Sequence, residues 1–183
     1  MSPTATDTLL LCVDLQPVFL HALPDGARVQ RRTGFAIESA RGLGLPVLFT
    51  EQMPDKLGRT EPELLARAAP AEAMGKDTFS AFSDDKICRR LQEIGADHLL
   101  LCGIETSVCI YQTALAALRS EYEVTILTDC VSARRADDAR TAVAALDKAG
   151  CHLLPAETVF YAILHDARHP FFRAFTALVK KYG

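Results

Sequence analysis

The chain has 183 residues, of which 49% are hydrophobic and 23% charged, and its formal net charge is −3. That length suits one substantial core and is short for two, and the composition is globular, without the low-complexity or Pro/Ser-rich segments of a disordered chain. Basic residues are scattered apart from pairs such as Arg134-Arg135 and Lys180-Lys181, which read as solvated surface, so no nucleic-acid partner is expected.

The N-terminal stretch MSPTATDTLLLCVDLQ has no basic region ahead of its apolar run, and Asp14 soon interrupts that run. It reads as neither a secretory signal nor a membrane span, so a cytoplasmic setting without a membrane partner is expected. The run itself, TLLLCVD at 8–14, is the first of four short and nearly continuous apolar segments. The others are LPVLFT (45–50), DHLLLCG (97–103) and EVTILTD (123–129). Each is bounded by Gly, Asp or Pro, as strands buried on both faces should be. A weaker fifth, CHLLP (151–155), follows KAG, where Gly150 reads as a helix C-terminal cap.

Helical spacing fills the intervals, roughly over 25–43, 84–94, 106–119 and 136–149. In the last of these Ala139, Val143, Ala144, Leu146 and Ala149 share a face, with Asp137, Asp138, Arg140 and Lys148 outside it. Strands alternating with helices over short connections predict an α/β fold: a three-layer α-β-α sandwich with a mostly parallel, Rossmann-like sheet, in a single domain over 1–183. Segment 51–83 is different, with Pro, Gly and polar residues, one short helical stretch near 61–68 and a short strand near 71–76. Extended connections of this kind are often functional. The C-terminal HPFFRAFTALVKKYG begins with Pro170 near a helix start and sets Phe171, Phe172, Phe175, Leu178 and Val179 for packing. It predicts a docking helix, on its own domain or on a neighbour.

In a parallel sheet the ligand crevice lies at the C-terminal ends of the strands. That rule nominates Asp14, Thr50-Glu51-Gln52, Gly103-Ile104-Glu105 and Asp129. Gln16, Phe19, Glu51 and Gln52 can face a substrate there or pack at an interface. Phe79 and Phe82 can line an apolar pocket or fill core.

Six cysteines, at positions 12, 88, 102, 109, 130 and 151, show no CxxC spacing, and most sit in apolar runs where a reduced thiol is a small hydrophobe. Cys109 differs by position. Thr106 reads as an N-cap, which places Ser107, Val108 and Cys109 in a first helical turn, where free N–H groups and the helix dipole favour a thiolate. Its other reading is packing against Val108 and Leu115. Asp14, at a strand end, is either a proton acceptor and donor in a partly dry cleft or a turn cap. Lys76 follows the short strand near 71–76; at the same rim its ammonium would pair with Asp14 and favour the thiolate, whereas alone it would read as solvated surface.

With Asp14, Lys76 and Cys109 in view, the chain resembles the isochorismatase-like cysteine hydrolases, the family that includes nicotinamidases and N-carbamoylsarcosine amidohydrolase. The resemblance rests on DLQPVF (14–19), TEQMPDKLGRTEPEL (50–64), GKDTFSAF (75–82), LCGIETSVCIYQTALAAL (101–118) and TDCVSARRADDARTAVAAL (128–146), in that order. The second and fourth are most similar to small isochorismatase-domain proteins, which commonly carry histidine where this chain has Ser107. The resemblance implies an Asp14, Lys76, Cys109 triad, a non-proline cis peptide at Ile104-Glu105, and an oxyanion hole formed by the N–H groups of Glu105 and Cys109. It also implies a homo-oligomer and a small-molecule substrate, with Ser107 in the pocket. Nicotinamidases of this kind carry a histidine-containing metal motif after the second strand; TEQMPDKLG has no histidine, so neither metal nor cofactor is expected and nicotinamide is a poor candidate substrate. The histidines at 21, 98, 152, 165 and 169 lack ligand spacing and read as surface or capping residues.

The leading expectation is hydrolysis of an amide-type C–N bond through a thioester on Cys109. Two alternatives stand beside it. One is vinyl ether hydrolysis of the isochorismatase type, with the aspartate as acid and no thiol nucleophile; the other is an oligomeric binding or scaffold protein with a vestigial site.

Overall fold

The computed structural model describes residue 4 and residues 6–183; residues 1–3 and 5, part of the N-terminal stretch read for a leader, lie outside the described residues. The chain runs β1 (Thr8–Val13), α1 (Pro17–Leu20), α2 (Gly26–Gly42), β2 (Val47–Gln52), α3 (Pro54–Leu57), α4 (Pro62–Ala68) and β3 (Glu72–Lys76). After a 3-10 turn (Ala81–Ser83) it continues through α5 (Asp85–Ile94), β4 (His98–Ile104), a π-helical turn (Thr106–Ile110), α6 (Tyr111–Arg119), β5 (Glu123–Ser132), α7 (Ala136–Ala149), β6 (His152–Leu154), α8 (Ala156–Leu164) and α9 (Phe172–Tyr182). The strands form one six-stranded sheet in the order β3-β2-β1-β4-β5-β6. Every pairing is parallel, and helices cover both faces.

The apolar run at 8–13 is the spine, with all six residues of β1 buried. Alternating side chains feed two cores, because successive residues of a strand point to opposite faces. Leu10 and Cys12 meet Phe35, Phe160 and Phe175 beneath α2, α8 and α9. Leu9, Leu11 and Val13 meet Ile87, Ala114 and Leu146 beneath α5, α6 and α7. Each of those fully buried phenylalanines contributes about 1.5–3 kcal/mol through apolar burial.

The helix ends follow their sequence signals. Asp84 Oδ1 accepts from Lys86 N at 2.9 Å and from Ile87 N at 3.2 Å to cap α5. Gly150, at φ 105, closes α7 as expected. The C-terminal helix docks on its own domain, with the Phe175 ring 5.7 Å from Phe35 and 4.9 Å from Tyr161. Among the described residues no helix is long and apolar enough to cross a membrane.

Several expectations need correction. Helix α8 had no counterpart in the reading of the sequence; it buries Val159 and Phe160. Strand β5 runs past Asp129 to Ser132, so Asp129 does not reach the crevice. Its carboxylate instead binds Arg32 at 2.7 Å and accepts from Ala156 N at 2.8 Å, tying α2 and the start of α8 to the sheet. His98 is no surface residue: it is buried in β4, bonded to Thr125 Oγ1 at 2.8 Å. Burial pulls its imidazole pKa down, against the opposing pull of Glu123. Segment 106–119 is not one α-helix capped by Thr106. Its first five residues form a π turn in which Val108 N and Ile110 N both donate to Glu105 O, and buried Thr106 Oγ1 has no hydrogen-bond partner.

Candidate active site

The strand order reverses between β1 and β4, where chain connections leave to opposite sides and a crevice opens at the strand ends. Gly103 brings those ends together. It sits at φ 120, where any Cβ would fall 2.0 Å from Val13 O, so only glycine allows β4 to approach β1 so closely. Asp14 follows immediately at φ 54, a left-handed conformation that aspartate tolerates better than most residues, and its N–H still donates to Thr50 O at 3.0 Å. On the β4 side, the Ile104-Glu105 bond is cis and leads into the π turn carrying Cys109.

Lys76 ends β3 in register with Gln52 of β2. Its ammonium donates to Asp14 Oδ2 at 2.7 Å, Gln52 Oε1 at 2.7 Å and Thr78 O at 3.1 Å. The side chains of Lys76 and Asp14 are 0% and 1% exposed. A pair so completely desolvated persists only with several further hydrogen bonds, and it has them. Asp14 Oδ1 accepts from Thr50 Oγ1 at 2.9 Å.

Asp14 and Cys109 line one cavity of about 160 Å³, together with Phe19, Gln52, Phe79, Ile104, Glu105, Val108 and Arg134. Larger hollows exist, such as one of about 430 Å³ lined by Phe82, Cys88 and Tyr122, but that one contains none of the rim residues. The Cys109 thiol is not the lowered-pKa thiol that a helix N-terminus implies. Burial first, and the neighbouring Asp14 charge second, push it up to about 12, against the pull of Lys76. Burial and the Asp14 charge thus both favour the thiol over the thiolate.

The pocket candidates divide. Phe19, Gln52 and Phe79 line the cavity. Gln16 does not: its amide pairs with the Gln52 backbone, accepting from N at 2.7 Å and donating to O at 3.0 Å, and it also donates to Gly58 O. Glu51 points to the other side of β2, where it accepts from Thr60 N at 2.8 Å. Phe82 stacks edge-on against Tyr122 at 5.3 Å. Ser107 is half-buried and outside the cavity lining, contrary to its expected place in the pocket. Ile104, nominated at the strand end, is part of the wall, and two wall residues escaped the sequence reading: Val108, which looked like helix filling, and Arg134, read as solvated surface. Arg134 is 64% exposed but ion-paired with Glu105 at the cavity wall. Placing the end of β5 at Ser132 would have put Arg134 near the rim. Among the described residues no group of three or more His, Cys, Asp or Glu side chains is disposed to hold a metal ion.

Comparison with known proteins gives the family and the fold. The chain is 33% identical over 171 residues to isochorismatase domain-containing protein 2 of Xenopus laevis, covering 92% of this chain and 80% of that one. It superposes on a structure described as MAR1 ribonuclease from Caenorhabditis elegans with a TM-score of 0.92 at 27% identity, covering 98% of this chain and 93% of that one. It also shares the fold of the YcaC gene product of Escherichia coli, described as an octameric hydrolase of unknown specificity, with a TM-score of 0.87 at 20% identity, covering 100% and 96%. The isochorismatase domain model matches residues 8–158, from β1 through the start of α8, and so spans every residue of the site. The chain belongs to the isochorismatase domain family and has its hydrolase fold.

Proposed function

We propose that this protein hydrolyses an amide-type C–N bond of a small molecule, with Cys109 as nucleophile, Asp14 as acid and base, and Lys76 as the group that holds Asp14. The observation that carries this reading is the shared cavity: a thiol and a carboxylate line the same 160 Å³ space, and the carboxylate is fixed from behind by a fully buried ammonium. The elevated thiol pKa supports proton transfer coupled to attack. Asp14 takes the Cys109 proton as sulfur adds to the carbonyl carbon, and the oxyanion faces the N–H groups of Glu105 and Cys109. Collapse breaks the C–N bond, the amine leaves with the proton held by Asp14, and a thioester remains. Water then attacks the thioester while Asp14 accepts its proton; the thiolate departs, is reprotonated, and a carboxylic acid leaves.

The cavity supports a small acyl group. Apolar cavities of about 150 Å³ hold a ligand of roughly benzene's size, and Phe19, Phe79, Ile104 and Val108 supply apolar walls. The ribonuclease name of the C. elegans neighbour belongs to that protein; a net charge of −3 and this narrow, largely apolar pocket support a small molecule here instead. The octameric description of the E. coli neighbour supports a homo-oligomer, which light scattering on the purified chain would test. For the catalytic reading the test is Cys109→Ala: hydrolysis of a panel of small primary amides and of an activated ester falls to background while the thermal midpoint stays near that of the parent. Retained turnover in the variant contradicts the covalent route.

A further inference from the structure

The Thr50 hydroxyl has no part in the chemistry just described, yet it is fully buried and donates to the acid and base itself. Resting on the proposed function, we propose that Thr50 is a positioning residue for Asp14: its hydroxyl fixes the rotation of the carboxylate that accepts the Cys109 proton.

Three observations carry this. Asp14 is held at both oxygens, by Lys76 at Oδ2 and by Thr50 at Oδ1, 2.7 Å and 2.9 Å away. Two donors on separate oxygens define the carboxylate plane, which neither defines alone. Second, Lys76 cannot swing across to replace a lost hydroxyl, because Gln52 Oε1 and Thr78 O tether its ammonium at 2.7 Å and 3.1 Å. Third, Thr50 is itself fixed from the backbone. Its carbonyl accepts from Asp14 N at 3.0 Å, so hydroxyl and carbonyl bind one residue from two directions. Beyond it, Gln16 pairs with the Gln52 backbone in the place where β1 has ended, holding β2 straight through the rim.

The charged and titratable groups around Asp14 are Lys76 from β3, Cys109 from the π turn, and Glu105 after β4 with its partner Arg134. Lys76 donates to Oδ2, Thr50 donates to Oδ1, and the Cys109 thiol is hydrogen-bonded to the same carboxylate, so the hydroxyl's contribution is isolated by removing and restoring it alone. The test follows acylation of the full chain by p-nitrophenyl acetate, as the release of nitrophenolate, at about pH 8 over a range of ester concentrations. Thr50→Val keeps the shape and the strand propensity but removes the donor. It is expected to lower the acylation rate constant by about ten-fold with KM little changed, the size expected for loss of a hydrogen bond to a charged group. Thr50→Ser, which keeps the hydroxyl, is expected to restore the parental rate, and Thr50→Ala provides the same loss of donor should the valine variant fold poorly. A rate constant unmoved in both Thr50→Val and Thr50→Ala, or one that Thr50→Ser fails to restore, overturns the proposal and leaves Thr50 as packing. If the parent acetylates at residues other than Cys109, the proposed function fails and this inference with it, a result distinguishable by peptide mapping.

Discussion

The Lys76–Asp14 pair and the cluster around Glu38 are made of the same kinds of group and differ in their access to water. Lys76 and Asp14 are almost completely desolvated, whereas Glu38 is 22% exposed and its partners Arg67 and Lys181 are 26% and 51% exposed. In the cluster, Glu38 of α2 accepts from Arg67 of α4, from Lys181 at 2.9 Å and from the Tyr182 hydroxyl at 2.6 Å, so it joins three helices and fastens the C-terminal one. Screened by solvent, its individual links contribute little each, about 0–1 kcal/mol. The buried pair has no solvent to fall back on. Removing one partner leaves an uncompensated charge, at a cost of about 3–5 kcal/mol, which is the behaviour of a device for geometry rather than for stability.

That contrast can be broken from the buried side first. Lys76→Met is expected to lower unfolding free energy by about 3–5 kcal/mol in urea titrations, and the double variant Asp14→Asn/Lys76→Met to recover most of that loss without recovering turnover. Were the single variant as stable as the parent, the pair would be no more strongly coupled than the surface cluster. Next in size is thiol reactivity. Because the Asp14 charge helps hold the Cys109 thiol near 12, Asp14→Asn should lower the thiol pKa and speed iodoacetamide labelling at pH 8 by about ten-fold or more, while abolishing hydrolysis. Asparagine suits the left-handed backbone at this position, but it leaves Lys76 without a counter-charge at a cost of about 3–5 kcal/mol, so labelling is compared on variant protein shown by circular dichroism to be folded. Slower labelling in Asp14→Asn would contradict the electrostatic account.

A smaller effect is expected at the surface cluster. Burial alone would raise the Glu38 carboxyl, but Tyr182, Lys181 and Arg67 together hold it below the usual carboxylate range. A depressed folded pKa gives stability that is present above the unfolded value and lost as pH falls through the folded one. The melting temperature should therefore decline in the acid range below about pH 4.5, and Glu38→Gln should flatten part of that decline. Smallest of all, Lys181→Met should change stability by about 0–1 kcal/mol, and salt should reduce even that.

The two regions also differ in how legible they were in the sequence. Strands β1 and β4 are apolar on both faces, so they announced a parallel sheet, and the rim rule then pointed to Asp14 and Glu105. Lys76 and Cys109 were suggested by position, at the rim and in a first helical turn, but each also had an ordinary surface or packing reading, and only the resemblance joined them with Asp14 as a triad. What escaped depends on partners far along the chain. Gln16 and Glu51 looked like crevice residues because they sit at strand ends, yet both are bonded to backbone in the 52–60 segment, which no local pattern encodes. The π turn escaped because its N–H groups converge on Glu105 O without any side-chain cap. Helix α8 follows directly on the short β6 and is nearly all apolar on the face it buries, so the run lacked the charged outer stripe that marked α7.

The central claim is that Cys109 carries the acyl group. Its most direct test is to quench the full chain in acid during turnover of p-nitrophenyl acetate and map the adduct by intact mass and peptide sequencing. A single acetyl group on Cys109, absent from Cys109→Ala, is the predicted result; ester turnover with no adduct on Cys109, or undiminished turnover in Cys109→Ala, would contradict it.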